Sequence, residues 1–235
     1  MPGSRVWPVI VDRPDWAFSG DRGPDHWADL DPAYAKCATG RRQSPVDLGA
    51  AVEGPLVDLV LAYHAGPLTF VDIHWTLQIR PEPGSGMTYD GSPYEFVEAH
   101  FHTPAEHPIG GVRADLESHF VHMAKDGSLA VVAVLWDAEP GEHPIDALVT
   151  AIPGVEGGTT VSHGAHDLEP LIPLGSRAYR YEGSRTTPPC GENVSWIVME
   201  RRGSVGTSAV ETFMARYGED SRPVQALNGR RITLG

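Results

Sequence analysis

Two short segments carry residues that can hold a metal ion. In EAHFH, residues 98–102, alternation along an extended chain puts Glu98, His100 and His102 on one face. In LESHFVHM, residues 116–123, Glu117, His119 and Val121 share a face, and Ser118, Phe120 and His122 take the other. If the two strands pair antiparallel, His119 completes a set of three imidazoles that leaves one tetrahedral position for water, as a catalytic zinc requires. Glu98 and Glu117 each sit two residues from a candidate ligand on its own face, where a carboxylate accepts the other ring N–H. The same histidines also fit a hydrogen-bonded core, and His122 is read that way because it faces away from His119. His107, in a turn after Pro-Ala-Glu, is a rival third ligand, so spacing alone does not fix the set. A second segment, YEGSRTTPPC at residues 181–190, places two threonines before two prolines, a stiff stretch that holds a hydroxyl in place.

These residues need a sheet to position them. Alternating or β-rich runs recur between Gly/Pro turns at residues 56–62, 68–71, 75–80, 94–102, 116–123, 129–136 and 194–199, and predict a largely antiparallel sheet. Helical signals are fewer. Residues 144–152 open on a proline, whose missing N–H costs nothing in a first turn. Residues 207–217 carry Ser208 and Glu211 at capping-box spacing, with Gly218 as the stop. Residues 1–16 and 222–235 read as irregular. No repeat, low-complexity tract or linker divides the chain. A single domain over residues 1–235 is expected, mainly β in an α+β manner, with a few surface helices.

Charge excludes some functions. Lys plus Arg is 18 and Asp plus Glu is 31, a net charge of −13. That balance repels phosphate backbones and anionic lipid, so neither nucleic acid nor a membrane surface is an expected partner. No apolar run approaches the length of a membrane span. Cys37 and Cys190 lie 153 positions apart and form no CxxC, which excludes a cysteine zinc knuckle. They are either one long-range disulfide, which implies an oxidising compartment, or two buried thiols. The apolar run at residues 6–11 is short and broken by Pro8, so no signal peptide is expected. A periplasmic or secreted location and a cytoplasmic one both stay open.

Read in order, the motifs resemble the α-class carbonic anhydrases, above all the bacterial members. WAFSG and GPDHW are followed by CATGRRQSPVDL, HFHTPAEH, DLESHFVH, LAVVAVL, GSRTTPPC, VSWIVM and RPVQALNGR. The similarity covers residues 16–230. It implies a single domain around a large, mostly antiparallel sheet with zinc at the bottom of a conical cleft. It implies that His100, His102 and His119 are the zinc ligands, that Thr186 orients the zinc hydroxide, and that Glu106 accepts the threonine's proton. Glu117 then supports the third ligand, and Glu98 stands where the family usually has glutamine. Val121, Val131 and Trp196 match the apolar wall for CO2, with Thr187 beside Thr186. Cys37 and Cys190 match the disulfide of bacterial and secreted members. The implied reaction is attack of zinc hydroxide on CO2 to give bicarbonate and a proton, in a monomer or homodimer.

The chain departs from the family pattern at several positions. Arg185 replaces a leucine before the two threonines and is expected to reach the cleft rim, with an inward pose as the alternative. Phe18 replaces a cleft tyrosine, Ala105 a serine, and Ser118 an apolar residue. Trp75 falls at the proton-shuttle histidine, and His74, one residue off, is expected on the opposite strand face. An impaired or non-standard proton shuttle follows. Two other functions fit the same residues: a zinc hydrolase of small esters, and a non-enzymatic binding module on the same fold.

Overall fold

The computed structural model describes residues 13–235; the apolar run at residues 6–11 and most of the segment 1–16 lie outside the described residues. Thirteen strands make one sheet: β1 (Val52–Glu53), β2 (Leu59–Ala62), β3 (Gly66–Asp72), β4 (Leu77–Pro81), β5 (Gly86–Tyr89), β6 (Ser92–His102), β7 (Leu116–Met123), β8 (Leu129–Glu139), β9 (Thr159–His166), β10 (Ala178–Ser184), β11 (Glu192–Met199), β12 (Gly203–Gly206) and β13 (Thr233–Leu234). The main path runs β1-β13-β10-β11-β8-β7-β6-β4-β3-β9, with β12 beside β8 and β5 joining β2 to β6. Most pairs are antiparallel, but β8 runs parallel to both β11 and β12, and β1 parallel to β13. The sheet is thus largely antiparallel, as the sequence predicts, with parallel pairs at β8 and at β1. The reason lies in β8, whose LAVVAVLW run is buried from Ala130 through Trp136. A strand covered on both faces has no polar side to alternate with, and such strands tolerate parallel neighbours.

The sheet separates two apolar layers. Behind it, Phe70, Leu77, Ile79, Phe101 and Phe120 pack with Phe213. Phe213 comes from α4 (Thr207–Tyr217), the longest of four helices. The other three are single turns: α1 (Trp27–Leu30), α2 (Lys36–Thr39) and α3 (Asp146–Val149). On the opposite face Val131, Val194, Trp196 and Tyr181 form a second layer. The helix expected at residues 144–152 is only α3. The capping box at Ser208 and Glu211 does not form: the N-cap of α4 is Gly206, without a side-chain cap. Its stop holds, because Gly218 takes φ 73° and its N–H donates to the Met214 carbonyl at 2.8 Å.

Strand β4 begins at Leu77, two residues later than the run at 75–80 suggested. His74 and Trp75 thus lie in a bend, and His74 has φ 75°. Strand alternation does not govern where these two side chains point. The expected irregular end at 222–235 contains β13, and β1, β5, β9, β10 and β12 were not read from sequence.

Candidate active site

Strand register brings the histidines together. His100 on β6 lies directly opposite His119 on β7, and His102 lies opposite Glu117. A bulge between Phe96 and Glu98 turns Phe96 to the rear layer with His122, while Glu98 borders the front cleft. His122 is buried behind the sheet, where its Nε2 stands 2.7 Å from the Tyr63 hydroxyl.

Each of the three front histidines has its outer nitrogen engaged. His100 Nδ1 stands 3.0 Å from both oxygens of Glu98. His102 Nδ1 donates to the Asp220 carbonyl at 2.8 Å. His119 Nε2 stands 2.8 Å from Glu117 Oε1. An imidazole that donates at one nitrogen presents a lone pair at the other. The inward atoms, His100 Nε2, His102 Nε2 and His119 Nδ1, lie within 4.8 Å of one another. His102 Nε2 is buried with no hydrogen-bond partner, and His119 Nδ1 faces His100 Nε2 at 3.2 Å. Lone pairs so arranged repel unless a cation binds them. Tetrahedral zinc with Zn–N bonds of about 2.0–2.1 Å sets its nitrogens about 3.3 Å apart, so the donor set fits that ion. Burial holds both His102 and His119 below the ordinary histidine pKa, which keeps these rings neutral and able to ligate.

Behind His119 runs a buried network that sequence reasoning did not assemble. Glu117 Oε1 also faces His107 Nδ1 at 2.7 Å, and Glu117 Oε2 accepts from the His107 backbone N–H at 2.8 Å. Burial alone would raise the Glu117 carboxyl; His107 and His119 outweigh it and hold the group well below the carboxylate range. The Tyr181 hydroxyl stands 2.7 Å from His107 Nε2 and donates to Ser44 Oγ at 2.9 Å. Gly183 leaves the space for this serine, since a Cβ there would lie 2.1 Å from Ser44 Oγ. His107 therefore supports Glu117 and has neither nitrogen turned to the three-histidine cluster. A buried Glu-His pair after a turn was the available signal. Asp220, the partner of His102, is buried too; its Oδ1 accepts from Thr103 N at 2.6 Å, and burial pushes its carboxyl well above the usual range.

The cluster opens into a cleft of about 280 Å³. Val121, Val131, Trp196, Thr186 and Thr187 line it, together with Trp75, Glu98 and Arg185. His74 is not among the lining residues; its Nδ1 stands 3.3 Å from Glu156 Oε1. Glu106 is buried beneath the cleft. Its Oε1 accepts from the Arg222 backbone N–H at 2.9 Å, and its Oε2 is unpartnered, 3.7 Å from His102 Nε2. Among the described hydrogen bonds none joins Glu106 to Thr186. Arg185 lines the cleft and is exposed to solvent there. Phe18 packs 5.9 Å from Trp75 and 6.4 Å from His102. Ser118 is buried and accepts from Trp136 Nε1 at 2.9 Å, which accommodates its hydroxyl. Ala105 is buried in the front layer. Cys37 and Cys190 are joined as a disulfide.

A family profile described as eukaryotic-type carbonic anhydrase matches residues 22–234. The chain belongs to the α-carbonic anhydrase family. It is 32% identical over 230 residues to the carbonic anhydrase of Klebsiella pneumoniae, covering 97% of this chain and 94% of that one. A hyperthermostable carbonic anhydrase from an active hydrothermal vent chimney superposes with a TM-score of 0.89 at 38% identity, over 93% of this chain and 99% of that one. The α-carbonic anhydrase of Thermovibrio ammonificans, solved with the inhibitor sulfanilamide, gives 0.88 at 33% identity, over 93% and 98%. The activity of the family is the reversible hydration of CO2, and the chain is an enzyme of that class. The disulfide is consistent with a periplasmic or extracellular location, and no helix among the described residues is long and apolar enough to cross a membrane.

Proposed function

We propose that His100, His102 and His119 bind one zinc ion and that the cleft above them hydrates CO2 in a single domain spanning the chain. The observation that carries this reading is the set of three inward nitrogens, each with its outer nitrogen engaged, one of them buried without any partner. Zinc held by these three rings would acidify a water to a pKa of about 7. The rest is work for the chain. Glu98, Glu117 and the Asp220 carbonyl fix the three rings and their tautomers. Val121, Val131 and Trp196 offer CO2 an apolar wall without competing hydrogen bonds. Thr186 orients the attacking oxygen, and Glu106 Oε2 is the acceptor for the threonine proton. This last role is supported by the burial of Oε2 without any other donor and by the place of Thr186 on the cleft wall. With its O–H donated to Glu106, the Thr186 hydroxyl oxygen would only accept from the attacking group, which would aim the lone pair of that group at carbon. The disulfide supports a periplasmic or secreted enzyme.

Elemental analysis of purified protein, paired with a CO2 hydration assay on the same sample, tests the reading. One zinc per chain with activity is expected. His119→Ala should lose most of the metal, and His107→Ala should keep it. Retention by the first and loss by the second would replace His119 as the third ligand.

A further inference from the structure

We infer that Arg185 is a specificity-determining residue of the cleft, recognising the carboxylate of an aromatic anion whose other end reaches the imidazole cluster. The inference rests on reading that cluster as a zinc site. Arg185 directly precedes Thr186, and both line the cleft. Its backbone is pinned: the N–H donates to the Gly191 carbonyl at 2.9 Å, and the carbonyl accepts from Ser184 Oγ at 2.8 Å. Its guanidinium has no hydrogen bond or ion pair with any described residue. Arg177, Arg202 and Arg216, by contrast, are each ion-paired. The residue is exposed to solvent where it lines the cleft, and partial desolvation there lowers its pKa against the opposing influence of Glu98.

A guanidinium has five donors and no acceptor, and it binds carboxylates through a planar fork. The only carboxylate lining the cleft among the described residues, Glu98, already faces His100 Nδ1 with both oxygens and makes no ion pair with Arg185. A second guanidinium lining the cleft, Arg80, has its Nε engaged by Gln78 Oε1 at 2.6 Å and adds positive charge. In a chain of net charge −13, the two arginines against Glu98 give the cleft lining an excess of positive charge. Size points to the ligand class. A cavity of roughly 150 Å³ holds a benzene ring, and this cleft has about 280 Å³. CO2, with three heavy atoms, needs far less. A benzene ring substituted at both ends fits, with its face on the apolar wall of Val121, Val131 and Trp196.

The test uses two probes of one shape, 4-sulfamoylbenzoate and its neutral isostere 4-sulfamoylbenzamide, titrated calorimetrically into the zinc-loaded protein. Both present the same sulfonamide to the metal, so the ratio of their dissociation constants isolates the distal charge. Arg185→Leu should weaken the benzoate roughly tenfold, the scale of one lost charge-assisted hydrogen bond. The benzamide should change less than about twofold on the same scale. Arg185→Lys should recover part of the loss, and the benzoate preference of the wild type should shrink with salt. Arg185→Gln replaces the leucine variant if that one does not fold. An unchanged ratio, or equal weakening of both probes, would overturn the inference while leaving the zinc reading intact. Failure of both probes to bind the zinc-loaded wild type would overturn the zinc reading and the inference together.

Discussion

Replacing Trp75 with histidine tests how a proton leaves the cleft. An indole only donates and does not titrate near neutrality, so it relays nothing. Among the described residues, the cleft lining includes no imidazole besides His100 and His119, and His74 Nδ1 faces Glu156. An acid of pKa about 7, the established value for the catalytic water of carbonic anhydrases, is reprotonated no faster than roughly 10^10 per molar per second. Multiplied by an acidity constant of about 10^-7 molar, this leaves release to bulk water at about 10^3 per second. The fast carbonic anhydrases reach about 10^6 per second, a gap of about a thousandfold that a relay or buffer must fill. Imidazole added at fixed pH and ionic strength should raise kcat to saturation and leave kcat/KM nearly flat. Trp75→His should raise kcat severalfold at low buffer, again with little change in kcat/KM. The substitution removes an indole 5.5 Å from Trp16 and stacked 5.8 Å from His102. A loss of about 1–3 kcal/mol in stability is therefore expected in urea unfolding, smaller than full truncation of a core aromatic. A kcat that is high and independent of buffer, and equally fast in His74→Ala, would refute the ceiling and require a relay elsewhere.

Thr186→Ala should lower kcat/KM roughly 10–100-fold with zinc content unchanged, the scale of a lost orienting contact; wild-type efficiency would remove its assigned role. His122 bears on acid stability, because burial depresses its pKa to about 4 from an ordinary value near 6.5. The unfolded state then binds more protons between these values, so stability present above about pH 6.5 is lost as pH falls toward 4. His122→Phe should flatten the dependence of the urea midpoint on pH in that window, and an unchanged slope would place the acid sensitivity elsewhere. Cys37→Ser should lower stability by at most about 5 kcal/mol on the chain-entropy account of so long a loop. It should also lower CO2 hydration, since the Cys190 N–H donates to the Thr187 carbonyl and Arg222 links the Cys37 carbonyl to Glu106. Non-reducing mass spectrometry that found both thiols free in the folded, oxidised protein would contradict the pairing.

The parts of the site legible in sequence were those written in strand periodicity. Glu98, His100 and His102 share a face because the repeat along β6 is two, and that holds whatever the strand pairs with. The strand limits of β7 follow from the same rule. What periodicity does not carry is the partner from a distant part of the chain. The Asp220 carbonyl that fixes His102 lies 118 positions away, and Ser44 lies 137 from Tyr181. Neither leaves a local pattern, because a backbone carbonyl has no sequence signature and a serine serves many roles. The third ligand was ambiguous for the same reason. His107 and His119 both touch Glu117, and only the register of β6 against β7 decides which of them turns a nitrogen to His100.

The misread elements share a physical cause as well. Alternation was extended from β4 back to Trp75, yet the chain bends before Leu77 with His74 at positive φ. In the bend, Asp72 is the anchor. Its Oδ1 accepts from the His74 N–H at 2.8 Å, and its Oδ2 is held by Arg216 from α4. A strand that ends on a buried carboxylate tied to a helix 144 residues away is set by tertiary contact, and local propensity had no means of registering it. Arg185 is likewise placed by tertiary contact. A long cation on an exposed loop is ordinarily expected to reach bulk water. Here the loop is held at the cleft, with the Arg185 N–H on the Gly191 carbonyl and the Cys190 N–H on the Thr187 carbonyl, and the disulfide ties it to α2. The covalent tie and these two hydrogen bonds hold Arg185 on the cleft lining, so the residue that departs most in chemistry from the family pattern stands beside the threonine that the family pattern requires.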